Sequence, residues 1–183
     1  QKAKKLDSFG VLMPKIYKQK YKDLIIGYDK KNKLSILRFN TGCVMLFKRK
    51  TFLAMGSFDE NYFLYFEETD FFTKCIKNNK NIYLYEKFKI EHDGSRSINL
   101  EYKDEYMIFR NWHYCWSKFY YYKKNYNYLI ALSKTFPNLK KSLIGMLQNI
   151  IFGNILKFRL NKAEFMGLIN SYFFMKSKLF HEI

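Results

Sequence analysis

The pattern of apolar and polar residues in the first part of the chain predicts short strands joined by turns and short helices. Short apolar runs bounded by Gly, Asn, Asp or Lys are typical of buried strands. The predicted strands are residues 9–16, 34–37, 41–47 (the central strand), 82–85 and 88–92, with residues 17–32 as an irregular loop. Residues 48–55 and 67–78 are predicted helices, the first of them ended by Gly56. This strand–helix–strand order indicates an α/β sheet.

From about residue 100 the apolar residues recur three to four positions apart, as in helices. Helices are predicted at 100–124, 134–158 and 163–179, with Pro137 breaking the first half of this region from the second. We therefore divide the chain into an α/β domain, residues 1–99, and a helical, basic extension, residues 100–183. No stretch of 18 uninterrupted apolar residues occurs, so no membrane-spanning helix is predicted.

The middle predicted helix carries an apolar stripe with basic residues at both ends. The stripe consists of Leu143, Met146, Leu147, Ile150, Ile151, Ile155 and Phe158, and the basic residues are Lys140, Lys141, Lys157 and Arg159. Such a helix is typical of one that lies in a membrane interface. It is also typical of a helical hairpin packed on its own α/β domain, and the sequence leaves both interpretations open.

The charge of the chain narrows the range of partners. The formal net charge is +17, which predicts attraction to nucleic acid, to an anionic membrane surface or to phosphate-bearing substrates. The three cysteines stand far apart, in no metal-ligand spacing, and we expect them to be free thiols in a reducing compartment.

Acidic residues are concentrated between Gly56 and Ser97, and the densest group is Glu67, Glu68 and Asp70 at the start of a predicted helix. Acids in a first turn stabilise a helix through its dipole by roughly 0.3–1 kcal/mol each, without any chemistry. Alternatively, like charges within one turn, between the aromatic pairs 65–66 and 71–72, raise the pKa of a carboxylate and make it a usable base.

Two further features have several interpretations. His92 ends a predicted strand, where it is either a structural hydrogen-bonding group or a metal ligand. Residues 112–124 (WHYCWSKFYYYKK) interleave aromatic and basic side chains. This pattern suits stacking on single-stranded nucleic acid, an interfacial belt at a membrane, or core aromatics with solvated lysines.

The order of four motifs resembles the second half of family 2 glycosyltransferases, in particular the rhamnosyltransferase-like branch that builds bacterial surface polysaccharides. The motifs are residues 41–43 (TGC), 56–60 (GSFDE), 63–70 (FLYFEETD) and 92–97 (HDGSRS). The resemblance covers roughly residues 9–125. It implies a GT-A nucleotide-diphospho-sugar transferase fold and inverting transfer of a hexosyl or rhamnosyl group from a nucleotide-sugar donor to a glycan or lipid-linked acceptor.

The resemblance also implies roles for individual residues. The catalytic base of the family falls on Glu68, with Asp70 as the alternative and Glu67 beside them. Thr41, Gly42 and Asp59 fall on the acceptor side of the pocket. His92 falls where related enzymes help to hold a divalent cation, Mg²⁺ or Mn²⁺.

The chain departs from the family in one large respect. Family members carry nucleotide-binding strands and an Asp-x-Asp motif in the first half of their sequence. This half has no counterpart in the 183 residues, in which no Asp-x-Asp occurs. We therefore expect the C-terminal part of an enzyme, cytoplasmic and peripheral on the inner face of the cell membrane, with no nucleic-acid partner. The alternative is a non-enzymatic basic module that binds nucleic acid or anionic membrane; such a module would keep the acids at 67–70 out of its binding path.

Overall fold

The computed structural model describes Leu6, residues 9–92 and residues 100–177, and the described part of the chain is mixed α/β. The strands are β1 (Val11–Ile16), β2 (Ile25–Asp29), β3 (Leu34–Leu37) and β4 (Ile82–Ile90). The helices are α1 (Arg49–Ala54), α2 (Glu67–Lys77), α3 (Lys103–Asn125), α4 (Tyr128–Ile151) and α5 (Ile155–Tyr172), with a 3₁₀ turn at Leu100–Tyr102. The predicted α/β class is confirmed at this level.

The chain forms two compact units. One, here called the sheet unit, comprises Gln1–Asp59 and Glu68–Gly94. The other, the helical unit, comprises Glu60–Glu67 and Ser95–Ile183. Residues 60–67, which the sequence analysis placed in the α/β domain, thus group with the helices.

The sheet unit contains a four-stranded mixed sheet in the order β1-β4-β3-β2. Strand β4 is central: it pairs parallel to β1 and antiparallel to β3, and β3 pairs antiparallel to β2. The apolar side of α2 covers the sheet, since Phe71, Phe72 and Cys75 are buried in one cluster with Val11 and Leu84. This packing fixes the helix that carries the acidic group.

Helix α2 runs antiparallel to β1 and β4. Gly10, just before β1, lies so close to the end of α2 that a Cβ there would be 2.6 Å from the Cys75 sulfur. The last residues of α2 therefore lie at the amino end of β1. The first residues, which include the acids, point to the carboxyl ends of the two parallel strands.

The predicted central strand at residues 41–47 is wrong. This segment forms turns, and only Leu46 makes a β-bridge, with Leu12 on the free edge of β1. Val44 and Leu46 are exposed, so the apolar run is not buried as a central strand requires. Strand β4 takes the central position instead.

Two other strand predictions change. The loop predicted at 17–32 contains β2, which forms a hairpin with β3. The strands predicted at 82–85 and 88–92 are one strand, β4. The register of β1 against β4 shifts between Pro14 and Lys15.

The helical unit is a three-helix bundle in which α3, α4 and α5 contact one another. Trp112, Trp116 and Ala163 form one buried cluster, and Cys115, Phe119, Ala131 and Leu168 form another. The predicted break at Pro137 is wrong, because α4 continues through it. The chain turns instead at Gly153, whose φ is +64°.

The cysteines are free thiols, as predicted. Burial raises the pKa of both the Cys75 and the Cys115 thiol to about 12. Among the helices in the described ranges, none combines the length and apolar character needed to cross a membrane.

Candidate functional site

The carboxyl ends of β1 and β4 form one edge of the sheet, here called the carboxyl edge. Ile16 and Ile90, the last residues of the two strands, are directly paired. Because α2 runs antiparallel to these strands, its first turn lies toward the same edge. In open α/β sheets, ligands bind outside the carboxyl ends of the strands.

The acids occupy distinct environments in the first turn of α2. Glu67 is its first residue, and Glu68 is half-buried. Oε2 of Glu67 is buried, with no hydrogen-bond partner in the part of the chain that the structure describes. Buried carboxylate oxygens are normally hydrogen-bonded, so this atom is an exception to the usual pattern.

Asp70 is fully buried and is held by the helix that carries it. Its Oδ2 lies 3.7 Å from Nζ of Lys74, one turn later. Lys74 also donates a hydrogen bond to the Ser57 carbonyl oxygen, at 2.8 Å. Asp70 thus ties α2 to the turn after α1. A buried carboxylate with a cation beside it is better placed to hold structure than to meet an acceptor.

Glu68 contacts the segment that the sequence analysis assigned to the acceptor. A Cβ at Gly42 would lie 3.0 Å from Cβ of Glu68 and 3.1 Å from its Cγ. These distances are tighter than ordinary van der Waals contact, so a larger residue at position 42 would have to displace the Glu68 side chain by a few tenths of an ångström. The structure therefore brings together Gly42 and the preferred catalytic candidate.

A hydrogen-bonded network connects Thr41 to the end of β1. The Ile16 N–H donates to the Tyr21 hydroxyl at 2.8 Å, and this hydroxyl donates to Oε1 of Gln19 at 3.1 Å. Nε2 of Gln19 donates to Oδ1 of buried Asn40 at 2.7 Å. The Thr41 N–H donates to the same oxygen at 2.8 Å. Thr41 itself is exposed, at the carboxyl edge.

Sequence reasoning missed Gln19 and Asn40. Both stand in segments without apolar periodicity, and no motif marked them. The only local signal was Asn40 immediately before Thr41-Gly42, since an Asn side chain often binds a following backbone N–H.

Asp59 and His92 occupy less constrained positions. Asp59 is half-buried and follows Phe58, whose ring packs at 5.4 Å from that of Phe71 on α2. His92 is exposed and follows the last residue of β4, Ile90, so it lies at the carboxyl edge. The rest of its motif, residues 93–97, lies outside the described residues.

We tested whether the described residues could hold the divalent cation that the resemblance implies. Within Leu6, 9–92 and 100–177, no three His, Cys, Asp or Glu side chains are grouped so that they could hold a metal ion. His92 is therefore a single candidate ligand, and the described residues do not by themselves make a cation site.

The backbone immediately before α2 is strained. Tyr65 and Phe66 have φ values of +66° and +70°, although neither is glycine. Such conformations cost roughly 1–3 kcal/mol each and cluster at functional sites. Ring contacts within the helical unit hold them: Tyr65 and Phe66 pack on Tyr114 at 5.8 Å and 5.6 Å, and Nε of Arg110 donates to the Tyr65 hydroxyl.

The aromatic side chains of residues 112–124 mostly form the core of the bundle. Trp112, Trp116, Phe119 and Tyr121 are buried, and Tyr114 is exposed. Buried rings cannot stack on bases. Three interpretations of this segment were open. For its two tryptophans, the interpretation as core aromatics is the one that agrees with their burial.

We compared the chain with known proteins in three ways. A scan against protein-family models, a search of curated proteins and a search of solved structures each found no match. The candidate site therefore has to be interpreted from the geometry of the chain's own residues.

Proposed function

We propose that the chain is the C-terminal, acceptor-side part of a GT-A glycosyltransferase, which transfers a sugar from a nucleotide donor to a glycan or lipid-linked acceptor with inversion. The observation that carries the proposal is the contact between Glu68 and Gly42 at the carboxyl edge. It joins two separate motifs of the resemblance, 41–43 and 63–70, at the place where open α/β sheets bind ligands.

Glu68 is the proposed base. It accepts the proton of the acceptor hydroxyl while the acceptor oxygen forms a bond to the anomeric carbon of the donor sugar. The bond between that carbon and the diphosphate oxygen breaks, and the nucleoside diphosphate leaves with the bonding electrons. General-base catalysis of this kind contributes typically 10²–10⁴-fold to the rate.

The neighbouring residues have supporting roles in the proposal. Asp70 is a positioning residue, because its ion pair with Lys74 fixes the first turn of α2 relative to Ser57. Glu67 stands beside the proposed base as the first residue of α2. Thr41, Gly42 and Asp59 form the acceptor side, and the Asn40–Gln19 pair fixes the Thr41 backbone.

A divalent cation, Mg²⁺ or Mn²⁺, would supply charge neutralisation for the leaving diphosphate when bound. His92 is the residue of this chain proposed to contribute to its binding. The proposed proton transfer to Glu68 does not depend on this assignment.

The test is replacement of Glu68 by Gln at the gene that encodes this chain, with analysis of the cell-surface polysaccharide and of sugar transfer from a panel of nucleotide sugars by the purified native protein. We expect transfer to fall by about 100-fold or more, because Gln cannot accept the proton, and the surface glycan to be truncated. The matched control is Glu101→Gln, at an exposed position in the helical unit. Normal glycan and unchanged transfer in the Glu68→Gln strain, at normal protein level, would refute the proposal.

A further inference from the structure

The hairpin of α4 and α5 ends in a cluster of exposed apolar side chains. We call this cluster the apolar tip; its members, each between 57% and 80% exposed, are Leu147, Ile150, Ile151, Phe152 and Ile155. None of the α4 residues after Ser142 is buried. The tip thus presents large aliphatic and aromatic groups beyond the part of the hairpin that packs in the bundle core. Exposed apolar patches of this kind mark surfaces that bind something else.

Several backbone N–H groups at the tip are hydrogen-bonded within the hairpin. The N–H groups of Phe152, Gly153 and Asn154 donate to the carbonyl oxygens of Gln148, Ile150 and Asn149, at 3.0, 3.2 and 2.9 Å. The Asn154 side chain accepts from the Lys157 N–H at 3.0 Å, which caps α5. These bonds lower the cost of moving the turn out of water and into a lipid interface.

The sequence on either side of the tip is basic, and one acidic side chain, Glu105, lies 3.6 Å from Arg159 on α5. Residues 106–163 contain ten Lys or Arg and no Asp or Glu. Lys157 follows Ile155 by two residues, and Lys140 and Lys141 are exposed on α4 before the tip. An anionic surface would attract this part of the molecule, and an apolar layer beneath that surface would accept the tip.

We propose that the apolar tip inserts into the interface of an anionic lipid bilayer, with the flanking lysines at the headgroups. The inference is independent of the proposed reaction, since it uses none of the residues at the carboxyl edge. The geometry fits shallow insertion. Leu147 to Ile151 is one helical turn, about 6 Å along the helix axis, and interfacial helices bury their apolar groups about 5–10 Å deep.

The test is flotation of the full chain with vesicles of phosphatidylcholine alone and of an equal mixture with phosphatidylglycerol. We expect binding to the anionic vesicles, weak binding to the neutral ones, and loss of binding as salt shortens the Debye length below about 10 Å. The triple variant Ile150→Ser, Ile151→Ser and Ile155→Ser should bind more than about tenfold more weakly. Because all three side chains are exposed, its helix content and thermal midpoint should stay near those of the parent.

The matched control removes three exposed apolar side chains, each more than half exposed, from the sheet unit: Ile26→Ser, Leu53→Ser and Phe88→Ser. It should bind the vesicles like the parent. A second measurement locates the tip: Phe152→Trp should show blue-shifted emission on binding, quenched by brominated lipid, while buried Trp112 and Trp116 are unaffected.

Three outcomes would overturn the proposal. The first is unfolding of the bundle in the triple Ser variant, which would make the tip part of a core. The second is a parent protein that does not bind anionic vesicles and forms an oligomer that the triple Ser variant does not form, which would make the tip a contact between copies. The third is a triple Ser variant that binds anionic vesicles as well as the parent, which would leave lysines elsewhere as the binding groups.

Discussion

Asp29 shows how much a single carboxylate can organise in the sheet unit. It accepts hydrogen bonds from the backbone N–H and side chain of Asn32, at 2.9 and 2.8 Å, which close the turn between β2 and β3. It also accepts a bond from the Tyr83 hydroxyl on β4, at 2.6 Å. These bonds, from Asn32 first and then Tyr83, hold the pKa of Asp29 at about 2. One ionised group thus connects the hairpin to the central strand.

The lowered pKa predicts a pH dependence of stability. The pKa of Asp29 is lower in the folded chain than in the unfolded one, so its contribution is present above about pH 4 and is lost as the pH falls toward about 2. Asp29→Asn should therefore lower the free energy of unfolding most at about pH 6, and the difference from the parent should shrink toward about pH 2.5. Urea denaturation at the two pH values measures this. Asp23→Asn, at an exposed position, is the control; an Asp29→Asn difference that is equal at both pH values would contradict the assignment.

The residue types of the candidate site could be read from the sequence, but their different environments could not. Glu67, Glu68 and Asp70 form one group in the sequence, yet Asp70 is buried beside Lys74 and Glu68 lies against Gly42. The pairing of Asp70 with Lys74 follows from i, i+4 spacing and was available in advance. The contact of Glu68 with Gly42 depends on the packing of a turn on a helix, which no local pattern encodes.

At the scale of elements, the close approach of α3 and α5 depends on one glycine. A Cβ at Gly167 would lie 2.3 Å from the backbone oxygen of Trp112. Backbone cannot move aside without displacing a helix. By contrast, a Cβ at Gly145 on α4 would meet the side-chain amide of Asn161, at 2.6 Å, and this amide can rotate away.

We therefore predict that Gly167→Ala destabilises the helical unit and that Gly145→Ala does so far less. Overpacking against backbone costs about 1–3 kcal/mol. At Gly145 the better helix propensity of Ala, about 1 kcal/mol, offsets part of the cost of moving Asn161. Urea denaturation followed by the helical circular dichroism signal compares the two variants. Equal losses of unfolding free energy would show that the α3–α5 approach is not the tighter one.

The elements that the sequence predicted well are those with local end signals. Helices α1 and α2 lie within one residue of their predicted bounds, because Gly56, the acids at 67–70 and Asn78 mark their ends. The prediction of a helix break was wrong because the same residue type can have two structural effects. A proline inside a helical pattern can end the helix or be tolerated, and Pro137 is tolerated. The actual turn carries Gly153 and the helix-capping Asn154, a pair that the sequence displayed and that the prediction placed inside a helix.

The predicted strand at 41–47 failed for a different reason. The apolar pattern of a segment indicates that the segment is extended and contacts other apolar groups. It does not indicate how many strands the segment pairs with. Residues 41–47 have one bridge, through Leu46. Strand β2 was missed because its residues alternate among half-buried and exposed positions, as expected of an edge strand beside Lys-rich turns.

At the scale of the whole molecule, the net charge of +17 is expected both for the proposed enzyme and for a non-enzymatic basic module, so it does not distinguish between them. A basic chain attracts any polyanion through counterion release, whatever its biological partner is. The position of the tryptophans bears on one of these classes. Sequence-tolerant binding of single strands uses rings on which bases stack, and Trp112 and Trp116 are buried in the bundle, so neither indole can serve as such a ring.

We therefore predict that single-stranded DNA binds this protein only as a polyanion. The affinity should fall steeply with salt, linearly on logarithmic axes as counterion release requires. Tryptophan emission should be unchanged on binding, because neither buried indole can stack on a base. Fluorescence anisotropy of labelled oligonucleotides of different base composition, with tryptophan emission recorded in the same titration, measures both effects.

The double variant Lys140→Gln and Lys141→Gln should weaken binding equally for every oligonucleotide, since phosphate contacts carry no sequence information. Base-selective binding at physiological salt, with tryptophan quenching, would instead favour a nucleic-acid-binding module over the proposed enzyme.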